Sequence, residues 1–307
     1  MKNSWDLAEL RIFCNVARRS SFGGAATEMG VSPAHVSQRV SELERKLGAT
    51  LFHRTTRRVV ITEQGETAYA WARRVLDAAD ALNREVTGSR QSISGVFRVS
   101  TSLRLGRNHV SPILALLAKR FPELDVWLEL VDRRVDLLAE GFDVDIRMGE
   151  VSEPHLHAHQ VATNVRVLCA APAYLKRHGT PKTLADLARH DCLLYRERHQ
   201  TFGVWRMNGP HGAESVKVAG RMGSNHSDVV RNWTLDGRGI TLLAGWDVAD
   251  ELRAGTVVRV LPGYSQPADI WAVTPSRLDN SVKLRACVEF LLKHLRQGPH
   301  ALDTTLQ

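Results

Sequence analysis

The sequence predicts an α/β chain in two parts: a winged helix-turn-helix with a long helix behind it, then a larger region of alternating strands and helices. Three observations carry that reading. A capped amphipathic stretch, SPAHVSQRVSELERKLG (32–48), stands directly before an arginine-rich hairpin. A stripe of small and apolar residues then runs from position 68 to 86 at helical spacing. Beyond the polar segment TGSRQSISG (87–95), short strand-like runs alternate with helical ones. At 307 residues the chain has room for two or three domains.

In the first part, Leu7, Leu10, Phe13, Cys14 and Ala17 recur at helical spacing, with Asp6 placed to cap the start and Ser20-Ser21 to end it. Phe22 to Met29 reads as a short second helix. Ala25 and Ala26 permit close helix contact, Gly30 supplies the turn, and Gly23-Gly24 weaken the helix by propensity. A third helix has Ser32 as N-cap, Pro33 at its first position, an inward stripe of Val36, Val40, Leu43 and Leu47, and Gly48 as its stop. That stripe leaves Ser32, Pro33, Ala34, His35, Ser37, Gln38 and Arg39 on or near the opposite face, where short and polar side chains let a helix N-terminus approach phosphate and base edges. LFHR and RVVIT follow as short strands joined through Thr55, Thr56 and Arg57, so Arg54, Arg57 and Arg58 project as a basic wing. Charge points the same way. The chain carries +8 net, and residues 1–62 supply +5 of it, ten basic against five acidic side chains. Double-stranded DNA is the expected partner.

Thr62 to Ser89 reads as one long helix. Ala68, Ala72, Val75, Ala79, Leu82 and Val86 form a heptad seam, for which a dimer is a better explanation than burial against the same chain.

The first 90 residues resemble the LysR-type transcriptional regulators. The resemblance rests on Ser21-Phe22, Ala25-Ala26, Val36-Ser37, Leu43-Glu44, Leu47-Gly48, Leu51-Phe52, Arg54, Thr62 and Gly65, in that order. Met29 stands where the family usually has Leu, and Gly23-Gly24 is unusual. The resemblance implies a sequence-specific regulator bound to an operator or promoter, assembled as a dimer or tetramer, with RNA polymerase a candidate further partner. It also implies a two-lobed, periplasmic-binding-protein-like effector domain. The expected division is 1–62 for DNA binding, 63–89 for a linker and dimerisation helix, 90–95 for a hinge, and 96–307 for effector binding. By analogy, lobe one holds about 96–162 and 269–297 and lobe two about 163–268, with crossings near Ala162 to Val165 and Gln266 to Asp269.

Local patterns fill in that region. Strands are expected at VFRVST (96–101), VWLELVD (126–132), VDIRM (144–148), VATNVRVLCA (161–170), VKVAGRM (216–222), ITLLA (240–244), VVRVL (257–261) and IWAVT (270–274). Helices are expected over 106–120, 135–140, 172–178, 184–190, 228–236 and 281–297. The alternation predicts a parallel sheet with crossover helices. Effectors in such folds sit at strand ends. Ser100, Thr101 and Ser102 where the first strand meets its helix, Arg147 ending the third strand, and Ser224, Asn225 and His226 before a second-lobe helix are the candidate effector residues. A small carboxylate is the expected ligand. LELVDRRVDLLAEGFDVDIRMG and VLCAAPAYLKRHGTPKTLADLARHDCLLY resemble the subgroup that includes regulators of malate and tartrate use.

Other chemistry finds little support. His155, His157 and His159 alternate along one strand face, but no carboxylate or thiol completes a zinc set, so neither a metal nor a cofactor is expected. Cys14, Cys169, Cys192 and Cys287 are scattered, and a redox switch through Cys169 and Cys192 is the alternative regulatory reading. An enzyme acting on a small carboxylate is the other alternative. LDGRGI is only a fragment of a dinucleotide fingerprint, and GxSxG, Walker and HExxH patterns are missing, so no catalytic residue is assigned. A DNA scaffold that senses nothing would not need the roughly 215 residues after the hinge. The opening MKNSWDLAEL lacks an export pattern, and no apolar run approaches the roughly 18 residues of a membrane span, so a cytoplasmic location without a membrane partner is expected.

Overall fold

The computed structural model of the chain describes residues 5–54, 59–87, 93–196 and 203–303. They divide into two compact units, 1–95 with 136–142, and 96–135 with 143–307.

The first unit opens with three helices, α1 (Leu7–Arg19), α2 (Phe22–Met29) and α3 (Pro33–Leu47). Each boundary has a local cause. The Asp6 carboxylate accepts from the Glu9 N–H while Glu9 accepts from the Asp6 N–H, a reciprocal capping box. Ser21 caps α2 and Ser32 caps α3, and Gly30 and Gly48 end those helices at φ +65° and +67°, where a side chain would be strained. Strands β1 (Phe52–Arg54) and β2 (Val59–Ile61) pair antiparallel, Phe52 opposite Ile61. The tip of that hairpin, with Arg57 and Arg58, and the side chain of Arg54 lie outside the described residues.

Phe13, Val16, Val36, Val40 and Leu43 are fully buried in the core of this unit, and the Phe13 and Phe52 rings meet at 5.4 Å. Each such side chain contributes about 1.5–3 kcal/mol by leaving water. Leu47, expected on the inward stripe, is instead exposed, since the last helical turn runs past the core.

Helix α4 (Glu63–Thr87) begins against the hairpin. The Thr62 hydroxyl donates to the Thr50 carbonyl and accepts from the Gly65 N–H, and a Cβ at Gly65 would collide with the Leu51 carbonyl. The proposed seam divides here. Ala72 is buried in the N-terminal core, with Ala68 and Val75 packed against it, so these three are not an unpartnered stripe. Small residues at this spacing fit α1 as well as they would a second copy, and the core takes them first. Leu82 is 63% exposed, Ala79 is half-buried, and the side chain of Val86 is outside the described residues.

Among the described residues the second unit contains two large sheets and one two-stranded pair. Its chain order begins β3 (Gly95–Thr101), α5 (Leu103–Leu105), a π-helical turn (Gly106–Val110), α6 (Ser111–Arg120), β4 (Leu124–Leu130), β5 (Val144–Met148) and β6 (His157–Ala162). It continues with β7 (Val165–Ala170), α7 (Pro172–His178), β8 (Leu194–Tyr195), β9 (Val204–Gly209), β10 (Gly212–Lys217), β11 (Gly223–Ser224) and α8 (Ser227–Leu235). It closes with β12 (Thr241–Ala244), α9 (Gly245–Ala254), β13 (Val258–Arg259), β14 (Ser265–Pro267), β15 (Ile270–Thr274) and α10 (Val282–Arg296). A five-stranded sheet in the order β4-β3-β5-β15-β6 forms lobe one. The path β10-β9-β14-β7-β12, with β13 also on β7, forms lobe two. The chain passes from one sheet to the other at 163–164 and returns at 268–269.

Both sheets are mixed or antiparallel rather than parallel. β3 and β5 run parallel, but β15 is antiparallel to β5 and β6, and β12, β13 and β14 are each antiparallel to β7. A chain that leaves a lobe and comes back delivers its returning strand in the opposite direction. Residues 135–140, expected as a helix, form a turn in which the Asp136 carboxylate accepts from the Leu138 and Ala139 N–H groups. The strand expected at 216–222 lies earlier, at 212–217, as half of a hairpin with β9.

Candidate functional site

Two surfaces qualify, one in each unit. On the first unit, Ser32, Pro33, Ala34, His35 and Gln38 are exposed at the start of α3, and Ser37 is half-buried beside them. The Ser32 hydroxyl accepts from the His35 N–H at 3.2 Å, and the Gln38 amide donates to Glu42 at 3.1 Å. These residues form an open face at a positively polarised helix N-terminus. Arg39 does not belong to that face. Its guanidinium meets Asp6 at 3.0 Å, Glu42 at 3.2 Å and Glu9 at 3.5 Å, which fastens α3 to the cap of α1. Glu9 is fully buried and also holds Lys46 at 2.6 Å. One carboxylate thus sets the angle between the capped helix and the exposed one. Arg18 and Arg19 close onto Glu28 and fix α1 to α2 in the same way.

In the second unit a cavity of about 390 Å³ opens between the two lobes. Lobe one contributes Ser102, Asp132, Arg147, Glu150 and Ser152; lobe two contributes Arg166, Tyr195, Arg206 and Gln266. The lining therefore holds three arginines, Arg147, Arg166 and Arg206, and two acidic residues, Asp132 and Glu150. Arg166, itself buried, donates to the Gln266 carbonyl oxygen at 2.7 Å, and the Gln266 amide donates to the Arg206 backbone carbonyl at 2.9 Å. Arg147 is buried and clamped in both directions by Glu153, at 3.1 and 2.8 Å. Burial opposes ionisation of Glu153, yet the hydrogen bonds from Arg134 and Arg147 outweigh it and hold its carboxyl at about 2.

The sequence-derived effector residues fall on both sides of this geometry. Ser102 and Arg147 line the cavity. Ser100 and Thr101 do not. Both are fully buried within β3, where the Ser100 hydroxyl donates to Asp145 at 2.8 Å and that of Thr101 to the Ile146 carbonyl at 2.8 Å. The two hydroxyls stitch β3 to β5, so neither is free to hold a carboxylate. Ser224 and Asn225 are outside the lining as well. The Ser224 hydroxyl accepts from the His226 N–H, and Asn225 is exposed. His226 reaches across to lobe one, its Nδ1 2.9 Å from Asp132 Oδ2.

That contact is one of several between the lobes. Arg104 of α5 bonds Asp228 at 2.8 Å and forms a short pair with Asp247, which is buried and whose carboxyl burial pushes up. Trp246 packs edge-on against His109 at 5.3 Å and donates its indole N–H to Met148 at 3.3 Å. At the crossings, Asn164 donates from its backbone to the Asp269 carboxylate and from its amide to the Ala268 carbonyl, each at 3.0 Å.

The cysteines separate rather than pair. Cys169 packs with Val167, Leu243, Val248 and Val257, whereas Cys192 packs with Leu168, Ala170 and Leu187. Because residues alternate along β7, these clusters lie on opposite faces of the sheet. Burial pushes each of the two thiols, and that of Cys287, up to about 12. His157 and His159 share one face of β6, opposite Thr274 and Ala272, while His155 stands in the turn before it.

Comparison with known proteins agrees with this architecture. Residues 7–66 match the family described as bacterial regulatory helix-turn-helix protein, lysR family, and residues 90–296 match the LysR substrate binding domain. The chain is 46% identical over 297 residues to the HTH-type transcriptional regulator DmlR of Escherichia coli (strain K12), covering 97% of each protein. It is 40% identical over 298 residues to the HTH-type transcriptional activator TtdR of the same strain, covering 97% of this chain and 96% of that one. Among solved structures, the full-length Vibrio cholerae virulence activator AphB superposes with a TM-score of 0.58 at 25% identity, covering 95% of this chain and 100% of the other.

Proposed function

The chain belongs to the LysR family of transcriptional regulators, with its helix-turn-helix and its substrate-binding domain both present, and from that premise we propose that its effector is a small carboxylate, a dicarboxylate or hydroxy acid, held between the lobes. The observation that carries the proposal is the convergence of Arg147, Arg166 and Arg206 on one cavity of about 390 Å³. Guanidinium forks recognise carboxylates in pairs of hydrogen bonds, and arginines on both lobes suit a ligand with an acidic group at each end. Such a ligand favours one arrangement of the lobes only by binding it better than another. The lobe-spanning contacts of Arg104, Trp246 and His226 are the contacts it would have to rebalance.

The response is read out on DNA. In this reading Ser32, Pro33, Ala34, His35, Ser37 and Gln38 present the base-reading and phosphate-facing end of α3, and Arg54, Arg57 and Arg58 hold the backbone. Arg39 acts indirectly, by positioning α3. The protein works as a dimer or tetramer in the cytoplasm, next to RNA polymerase at the promoter. Footprinting and calorimetry together test the scheme. Succinate should bind the full chain and alter its footprint on the DNA upstream of its own gene, and Arg206→Ala should weaken that binding at least tenfold. Unchanged succinate affinity in Arg206→Ala would place the ligand outside this cavity.

A further inference from the structure

A second cavity, of about 410 Å³, lies within lobe two, and its lining shares no residue with that of the inter-lobe cavity. Its charged lining comes from Arg177 at the end of α7, Asp191, Arg221 between β10 and β11, and Arg238 after α8. Three arginines thus stand against one acid. Arg177 donates to the Ala173 and Gly237 carbonyls, at 3.2 and 2.8 Å, and so serves the end of its own helix. The other two do not. Arg221 is 89% exposed and stands 3.7 Å from Asp191, beyond hydrogen-bond distance, while the exposed Arg238 guanidinium has no partner among the described residues. The floor of the cavity is fixed by its own bonds. Buried Tyr174 accepts from the Asp191 N–H at 3.0 Å, the Asp191 carbonyl accepts from the Ile240 N–H at 2.9 Å, and a Cβ at Gly239 would collide with that carbonyl. His178, also in the lining, stacks on the Tyr174 ring with centroids 4.6 Å apart and planes at 21°. Because His178 is exposed, the other face of its imidazole is open.

We propose that this cavity binds a nucleoside diphosphate, its phosphates held by Arg221 and Arg238 and its base stacked on the open face of His178. Guanidinium forks match phosphate oxygens, and two of them without committed partners suit a group that carries several negative charges. The ring supplies the rest of the assignment. Bases stack on histidine as they do on other flat side chains, and a cavity of about 410 Å³ has room for a base and a diphosphate together. Asp191 would repel a phosphate but suits a ribose hydroxyl, which donates to an acid in other nucleotide sites. Free pyrophosphate offers the same charged group without the ring, and the two ligands separate the contributions. The site is distinct from the carboxylate cleft, and neither reading depends on the other.

The test is calorimetric titration of the full chain, in buffer free of phosphate, with ADP and with pyrophosphate. ADP should bind saturably and about tenfold more tightly than pyrophosphate. The double substitution Arg221→Ala, Arg238→Ala should weaken both ligands at least tenfold and leave the melting temperature unchanged, since both side chains are exposed. His178→Ala should remove the advantage of ADP and leave pyrophosphate binding as it was. Absence of saturable ADP binding up to on the order of 1 mM would overturn the proposal. So would ADP affinity that survives the double substitution. Equal binding of ADP and pyrophosphate by the wild type, or an ADP advantage that persists in His178→Ala, would overturn the stacked base. ADP binding that is lost in Arg206→Ala would put the nucleotide in the inter-lobe cavity and overturn this site, whereas ADP binding indifferent to Arg206→Ala is the expected result.

Discussion

Replacing Glu153 with Gln tests the electrostatic design behind the cleft, and its size follows from the structure. Glu153 pairs with Arg134 at 2.6 Å and with Arg147 at 2.8 Å, and its carboxyl sits at about 2 instead of its ordinary 4.5. At about 1.4 kcal/mol per pH unit, that separation corresponds to about 3 kcal/mol of stability at neutral pH. Half-exposed Arg134 is screened by solvent, so about 2–3 kcal/mol is the fair expectation. The sign follows from the depressed value. The contribution is fully present above the unfolded value of 4.5, shrinks as the unfolded chain takes up its proton, and is lost as pH falls through about 2. Glu153→Gln leaves buried Arg147 with Asp145, at 3.9 Å, as its remaining acidic neighbour among the pairs described. Urea unfolding followed by tryptophan fluorescence is the assay, since Trp127, Trp205, Trp233, Trp246 and Trp271 all lie in the second unit. The variant should lose about 2–3 kcal/mol at pH 7 but only about 1 kcal/mol at pH 3. A loss below about 0.5 kcal/mol at pH 7, or the same loss at both pH values, would show that the Glu153 pairs do not carry this stability.

Three further outcomes follow from the packing. Leu82→Glu should split the oligomer in sedimentation without lowering the melting temperature, whereas Val75→Glu should lower the melting temperature by putting a charge into the N-terminal core. Treatment with iodoacetamide at pH 7.5 should leave Cys169, Cys192 and Cys287 unmodified by mass spectrometry in the folded protein, because burial holds their thiols at about 12. Arg104→Gln removes the nearer of the two arginines on buried Asp247, leaving Arg231 at 4.0 Å, and should cost about 3 kcal/mol in urea unfolding. Burial raises the Asp247 carboxyl and Arg104 opposes that rise, so losing Arg104 should raise it further, which titration of the folded variant would read directly.

Where neighbours in sequence settle the outcome, the structure was legible beforehand. The bounds of α2 and the caps at Asp6, Ser32 and Gly48 follow from side chains that bond to backbone groups three residues away or permit a positive φ. Long-range choices were less visible. The stripe at Ala68, Ala72 and Val75 suits two partners equally, and only the folded N-terminal core shows that α1 takes it. Helix α9, GWDVADELRA, was hidden because its buried residues run almost continuously, Gly245 to Ala249, instead of at helical spacing. Arg39 looked like part of a DNA-facing surface, since its three carboxylate partners stand 3, 30 and 33 positions away.

The cleft shows the same division at the scale of single residues. The sequence points to strand ends for the effector, and the cavity lining does come from strand ends, but on β3 Ser100 and Thr101 are buried short of it. Thr101 is the last residue in register with β5, opposite Ile146, so it and Ser100 are committed to the sheet. Ser102 is the first residue past that register and the first to reach the cavity. Applied to the neighbouring strand, the same rule selects Asp132, two residues after β4 ends and beside a backbone bond from Val131 to the Thr101 carbonyl at 2.8 Å. On lobe two the rule fails for a different reason. Arg166 lies inside β7, with its neighbours Val165 and Val167 directed elsewhere, and it faces the cleft because the chain has just crossed from the other sheet at 163–164. A strand that begins at a crossing presents its first residues to the gap between the lobes, so the residues flanking the crossings, Arg166 and Gln266, line the cavity as those at strand ends do.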